Sequence, residues 1–171
     1  MDKKQNVLAL DLDDCIYDSS TLASDIKSDY WNIKGLEINL WKLSELIRTT
    51  DAKVFITSSW ALEWEMAPQN QIRLNKESNS WDLFYVTQVT GLVQQYLGGH
   101  IIGLSEGDRI QDVKKLDDGT NRIVCFDDWN YAKDVENANV KFFLTLGSIT
   151  KNILWDAQKF LNGTPTGRKE Q

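Results

Sequence analysis

At 171 residues, with 42% apolar and 26% charged residues, the chain has the balance of a globular unit able to bury a core. Its net charge of −6 excludes a broad basic footprint, so binding to extended duplex is not expected. There is no run of about 18 apolar residues for a membrane helix, the opening MDKKQN does not read as a signal peptide, and two cysteines make no disulfide framework, so a cytoplasmic setting is expected. Residues 6–12, NVLALDL, are apolar almost throughout, the pattern of a strand covered on both faces. Leu36, Leu40, Leu43 and Ile47 then recur at helical spacing in and just ahead of EINLWKLSELIRTT. AKVFITSS reads as a second buried strand. WALEWEMA reads as helical, with Trp60 and Trp64 four apart on one face. WDLFYVTQVTGLVQQYLGG is ambiguous, β-branched at first and helix-like later, with Gly98 as a stop. HIIGLSE suits a third strand, and DRIQDVKKL places Ile110, Val113 and Leu116 three apart on a helix. NRIVCFDDW and VKFFLTL read as the fourth and fifth strands. SITKNILWDAQKFL reads as a closing amphipathic helix, with Ile149, Ile153, Leu154, Ala157 and Leu161 inward and Ser148 or Thr150 as cap. Its successor, NGTPTGRKEQ, is a polar tail expected to fray.

Alternating strands and helices imply one α/β domain over residues 1–171: a three-layer, Rossmann-like fold with a mostly parallel central sheet and helices on both faces. Most of the seven tryptophans are expected in the core or in a pocket wall. In parallel sheets, ligands bind beyond the carboxyl ends of the strands. Three strand ends are unusually polar here. The first carries Asp11, Asp13 and Asp14, the second Thr57, Ser58 and Ser59, and the fourth Asp127 and Asp128.

A single Asp at a strand or helix end is usually a turn or a cap, and Asp18, Asp25, Asp51, Asp108, Asp117 and Asp118 are read that way. That account is strained for Asp11, Asp13 and Asp127, because it must hold at two separate strand ends. Carboxylates gathered at one edge repel one another. A hard divalent cation resolves the repulsion, and Mg2+ is characteristically held by one or two carboxylates together with substrate phosphate. Two carboxylates two residues apart can divide labour, one attacking phosphorus and the other protonating the leaving oxygen. The hydroxyls of the second strand and a basic side chain would hold the phosphate oxygens.

At these residues the sequence resembles the haloacid dehalogenase-like (HAD) superfamily of phosphohydrolases, in a small and minimally capped form. LDLDDCIYDSS looks like the family's first motif, with Cys15 where threonine is usual and Ile16 where leucine is usual. KVFITSSW looks like the second motif, IVCFDDW like the fourth, and LGSITKNILWDAQKFL like the helix that ends many members. The resemblance covers essentially the whole chain. It implies that Asp11 is the nucleophile forming an aspartyl-phosphate, and that Asp13 is the general acid and then the base. It further implies that Thr57 bonds the phosphate, with Ser58, Trp60 and the Leu12 amide in the substrate cradle. Mg2+ would be held by Asp11, Asp127, Asp128 and the backbone carbonyl of Asp13. The third-motif lysine has no direct counterpart. Arg109 opens the helix before the fourth strand and is the best candidate, with Lys114 and Lys115 as rivals.

Cys15, Cys125 and His100 are read as structural. Neither the stretch between the first two strands nor residues 61–108 hold a large cap, so the site is expected to be open. Tyr17, Trp60 and Trp129 are candidates for stacking on a base, although packing is the plainer role for each. The expected activity is a magnesium-dependent phosphomonoesterase acting on a phosphorylated small molecule or a short nucleic-acid end. The alternative is a catalytically silent HAD-like binding or phosphoacceptor module. Dehalogenation at carbon is disfavoured, because it needs no metal acids.

Overall fold

In the computed structural model, residues 4–17, 34–75 and 83–163 are described. Five strands form one sheet in the order β5-β2-β1-β6-β7, and every pairing within it is parallel. They are β1 (Asn6–Leu10), β2 (Lys53–Ile56), β5 (Ile101–Leu104), β6 (Arg122–Asp127) and β7 (Val140–Leu144). A separate antiparallel hairpin pairs β3 (Trp64–Ala67) with β4 (Gln71–Leu74). The helices are α1 (Lys34–Thr50), α2 (Leu83–Leu97), α3 (Arg109–Leu116), the short α4 (Ala132–Val135) and α5 (Lys151–Asn162).

The two-residue alternation of the strands divides the core into two layers. Leu8, Leu10, Val54, Ile56, Val124 and Phe126 face one side, where Leu36, Leu40 and Leu43 of α1, Val89, Val93 and Leu97 of α2, and Ala157 and Leu161 of α5 cover them. Val7, Ala9, Ile123, Cys125, Val140 and Phe142 face the other, with Val113 of α3 and Val135 of α4. The result is the three-layer, Rossmann-like α/β arrangement that the alternating apolar pattern implies. Gly103 in β5 lacks a side chain because a Cβ there would sit 2.5 Å from the Phe55 ring.

The helix ends follow local chemistry. Thr150 caps α5 by accepting the Ile153 amide at 3.2 Å, and Gly163 ends it in a left-handed conformation. Ile149, Ala157 and Leu161 are buried as expected, and Ile153 and Leu154 are half-buried. The ambiguous stretch after Trp81 resolves as helix, because Val86, Val89, Thr90, Val93 and Leu97 fall on one buried stripe. The polar tail from residue 164, together with Asp18 and Asp25, lies outside the described residues.

Two expectations are corrected. Residues 60–67 are not one helix: a 3-10 turn over Ser59–Glu63 gives way to β3. Trp60 and Trp64 still lie close, with ring centroids 6.5 Å apart, which is why helical spacing was a misleading cue. The deciding signal is the alternation of Trp64 and Met66 against Ile72 and Leu74, split by Pro68, Gln69 and Asn70. Both of the latter adopt positive φ in the loop. Tertiary contacts fix the hairpin on α2, since the Trp64 indole donates to Thr90 Oγ1 and the Gln94 side chain accepts the Ile72 amide. Among the described residues the tryptophans are also less buried than expected. Trp41, Trp129 and Trp155 are exposed, and Trp155 offers its face to the Lys159 ammonium instead.

Candidate functional site

The chain runs outward from β1 through β2 to β5, then returns to lay β6 and β7 on the opposite side of β1. The carboxyl ends of β1 and β6 therefore form the switch point of the sheet, where neighbouring connections diverge and leave a crevice. Asp11 and Asp127 stand at that point. Main-chain bonds continue the ladder past the strands. The Asp11 amide donates to the Phe126 carbonyl at 3.0 Å, Thr57 to Leu10 at 2.8 Å, and Thr145 to Asp127 at 2.9 Å. This register places Asp11, Thr57 and Asp127 side by side, as the sequence predicts.

One carboxylate oxygen from each of Asp11, Asp127 and Asp128 lies within 4.8 Å of the others. Asp11 and Asp127 are buried and Asp128 is half-buried. Arg109 closes over the pair. Its Nη1 donates to both oxygens of Asp127 at 2.8 Å and lies 3.7 Å from Asp11 Oδ2. The position follows from α3, which Asp108 caps by accepting the Gln111 amide, so that Arg109 is the first helical residue. A cation is poorly placed at a helix N-terminus, and the two aspartates offset that. Lys114 and Lys115 sit in the last turn and are exposed, so they do not approach the carboxylates.

The electrostatics follow from burial. Asp11 is pushed up to about 8, chiefly by desolvation and then by the Asp127 charge and Asp128, against the pull of Arg109 and the Leu12 amide. Burial also raises Asp127, opposed by the Trp129 amide and by Arg109. Desolvation penalises the Arg109 charge, yet Asp127 and Asp11 outweigh it and keep the guanidinium firmly protonated.

The loop after β1 is a tight coil. The Cys15 and Ile16 amides donate to the Leu12 carbonyl, Asp14 takes a positive φ, and Asp13 and Tyr17 are bridged. The coil turns Asp13 away from the three-carboxylate cluster. Its Oδ1 accepts from both the Tyr17 hydroxyl and the Trp60 indole N–H. Its pKa is raised by burial, while these two donors restrain the rise. Cys15 Sγ is paired with Thr145 Oγ1 at 2.7 Å, which stitches the coil to the end of β7. Burial raises both thiols, Cys15 and Cys125, so the two are inert packing.

Thr57 Oγ1 is buried and has no hydrogen-bond partner. Ser58 is committed locally, because its hydroxyl caps the 3-10 turn by accepting the Trp60 amide at 3.2 Å. The Leu12 side chain is wholly buried, so only its backbone faces the site. Tyr17 is 3% exposed and so presents no free stacking face, whereas Trp129 is 56% exposed with its ring 5.8 Å from the Arg109 guanidinium carbon. The expectation of an open site is corrected in part. Asp11, Asp127 and Thr57 are buried, and a recess of about 210 Å³ lined by Asp14, Asp128, Leu146 and Gly147 lies beside Asp128. Asp108 and Asp118 are caps and turn formers as expected, with Asp118 accepting the Thr120 and Asn121 amides.

Sequence reasoning missed the tether on Asp13, the Cys15–Thr145 link and the buried Tyr131 behind Asp127. The Trp60 donor to Asp13 and the Cys15–Thr145 link carry no spacing signal, because each pairs residues brought together only by the packed fold. Comparison with protein-family models, with curated proteins and with solved structures returned no match to the chain.

Proposed function

We propose that the chain is a magnesium-dependent phosphomonoesterase of the HAD type, acting through an aspartyl-phosphate on Asp11. The observation that carries the reading is the meeting of Asp11, Asp127 and Asp128 within 4.8 Å at the switch point. Two further features support it: a protonatable Asp13 nearby and the unpartnered Thr57 hydroxyl. Three hard oxygen donors fit Mg2+, and one half-buried arginine does not neutralise them. Asp11, Asp127 and Asp128 would hold the ion through their carboxylates, and Asp13 through its backbone carbonyl. Bound there, the ion would offset the negative charge of the carboxylates and of the phosphoryl oxygens.

The chain's own groups then divide the work. An Asp11 oxygen attacks phosphorus as the ester P–O bond breaks, and Asp13 gives its proton to the leaving oxygen. In the second half Asp13 takes a proton from water. The water oxygen attacks the phosphorus on Asp11, orthophosphate leaves, and both carboxyl groups return to their starting state. With Oδ1 of Asp13 occupied by Tyr17 and Trp60, Oδ2 is left to carry the proton. Thr57 Oγ1 and Arg109 orient the phosphate oxygens. The substrate is a phosphorylated small molecule or a short nucleic-acid end, met by the recess beside Asp128 and the exposed Trp129 ring. Among the described residues no helix is long and apolar enough to cross a membrane.

The test is release of phosphate from sugar phosphates, mononucleotides and 5′- or 3′-phosphorylated oligonucleotides, at fixed salt, with Mg2+ or with chelator. Turnover is expected with Mg2+, none with chelator, and none in Asp11→Asn. Full activity in chelator overturns the metal role, and near wild-type rates in Asp11→Asn overturn the covalent step. A preference of about tenfold or more in kcat/KM for the mononucleotide or sugar phosphate assigns a small-molecule substrate over a nucleic-acid end. One observation favours the silent module instead: Arg109 already satisfies both oxygens of Asp127. Absence of turnover on every substrate, with Mg2+ binding intact, would select that reading.

A further inference from the structure

Tyr131 has no part in the chemistry above, yet it is 1% exposed directly behind the site. Its ring is fully used: it meets Phe142 edge-on at 4.8 Å and Trp129 at 5.7 Å. Its hydroxyl is not used, because it is buried and has no hydrogen-bond partner. The hydroxyl nevertheless stands beside Asp127, near enough to bear on it as a hydrogen-bonding carboxylate although outside bonding geometry, and it feels the Arg109 charge. An unpaired buried hydroxyl is destabilising, and phenylalanine would fill the same ring pocket without that penalty. Among the described residues the only other buried side-chain polar atom in this condition is Thr57 Oγ1, on the other side of Asp11.

Asp127 explains what the spare donor is for. Its two oxygens are taken by Arg109 Nη1, and Oδ1 also accepts the Trp129 amide at 3.0 Å. Arg109 cannot both chelate Asp127 in this way and turn to a phosphate. Its side chain is 25% exposed and bordered by the Trp129 ring, so it has room to swing outward. When it does, Asp127 keeps only the Trp129 amide on Oδ1, and Oδ2 is left without a donor.

We infer that Tyr131 is a positioning residue that donates its hydroxyl to Asp127 once a divalent cation has drawn the Arg109 guanidinium off that carboxylate. Arg109 and Tyr131 thus alternate on Asp127, the first in the metal-free protein and the second in the loaded one. The inference rests on the metal reading above, and its test separates the two. Thermal midpoints of wild type and Tyr131→Phe are measured in chelator and across a Mg2+ titration, with calorimetry giving the Mg2+ Kd directly. In chelator, Tyr131→Phe should melt at or above wild type, since it removes an unpaired hydroxyl. Its Mg2+ Kd should rise by about tenfold, the lower end of the range for partners that orient metal ligands. An unchanged Kd overturns the inference, as does an equal fall in midpoint with and without Mg2+, which would make Tyr131 merely structural. A wild type that does not respond to Mg2+ overturns the metal reading and this inference together. Tyr131→Met, also without a donor, gives the same comparison if the phenylalanine variant does not fold.

Discussion

The Trp60 indole and the Tyr17 hydroxyl both donate to one oxygen of Asp13, and this tether defines what Asp13 is able to do. Donors to a carboxylate favour its charged form, so they hold down a pKa that burial raises. Trp60→Phe removes one donor and keeps the packing against Trp64. The Asp13 pKa should therefore rise further. In the proposed mechanism the first chemical step needs Asp13 protonated, so the descending limb of the kcat/KM profile should move to higher pH. Looser orientation of the carboxyl should also lower kcat, by about 10- to 100-fold if the lost bond has the strength usual for charged partners. A pH profile that coincides with wild type would mean that Trp60 acts only in substrate contact or packing.

At the scale of elements, the site is held by connections that its own residues do not make. Asn39 of α1 is buried, donates to the Ile16 carbonyl at 2.7 Å and accepts the Ile149 amide at 3.1 Å. It thereby joins the coil after β1 to the turn before α5, the two loops that flank the acidic cluster. Lys42, one turn on, donates to the Ile149 carbonyl at 2.8 Å. Asn39→Ala leaves a buried carbonyl and a buried amide unpaired, at a cost of about 1–3 kcal/mol for each group left without a partner. Ile38→Ala beside it, at an exposed position, should change stability by about 0.5 kcal/mol or less. Chemical denaturation of both variants checks the contrast, and equal effects would remove the claim that Asn39 clamps the site.

For the molecule as a whole, the metal-free acidic cluster inverts the usual response of carboxylates to pH. An ordinary paired aspartate has a lowered pKa and stabilises the fold as pH rises. Asp11 goes the other way, from 3.8 to about 8, and Asp13 and Asp127 shift in the same direction. Between these limits the folded protein binds protons that the unfolded chain has released. The contribution of Asp11 is therefore complete below about pH 4, the unfolded value, and is lost as pH rises toward 8. In chelator the denaturation midpoint should fall across this window, and Mg2+ should restore it most at the alkaline end, where all three carboxylates are ionised. A midpoint that is flat with pH in chelator would show that Arg109 compensates the cluster by itself.

The strand ends and their acids were legible because a parallel strand buried on both faces must be apolar along its length. Asp11, Thr57 and Asp127 each break such a run abruptly, and a doubly wound sheet brings those breaks to one edge. Arg109 was legible only as the best of three basic residues, since helical spacing places Lys114 and Lys115 on the same helix. The Asp108 cap and the sheet register decided among them by carrying the first residue of α3 to Asp127. The hairpin of β3 and β4 was misread because Trp60 and Trp64 satisfy a helical spacing, while Thr90 and Gln94, more than 20 residues away, determine the strand. The Trp60 donor to Asp13 and the Asn39 clamp were out of reach for the same reason. Hydrophobic period and strand-end chemistry are properties of a local segment, whereas a hydrogen bond between distant side chains exists only after the layers have packed and set their distance and angle.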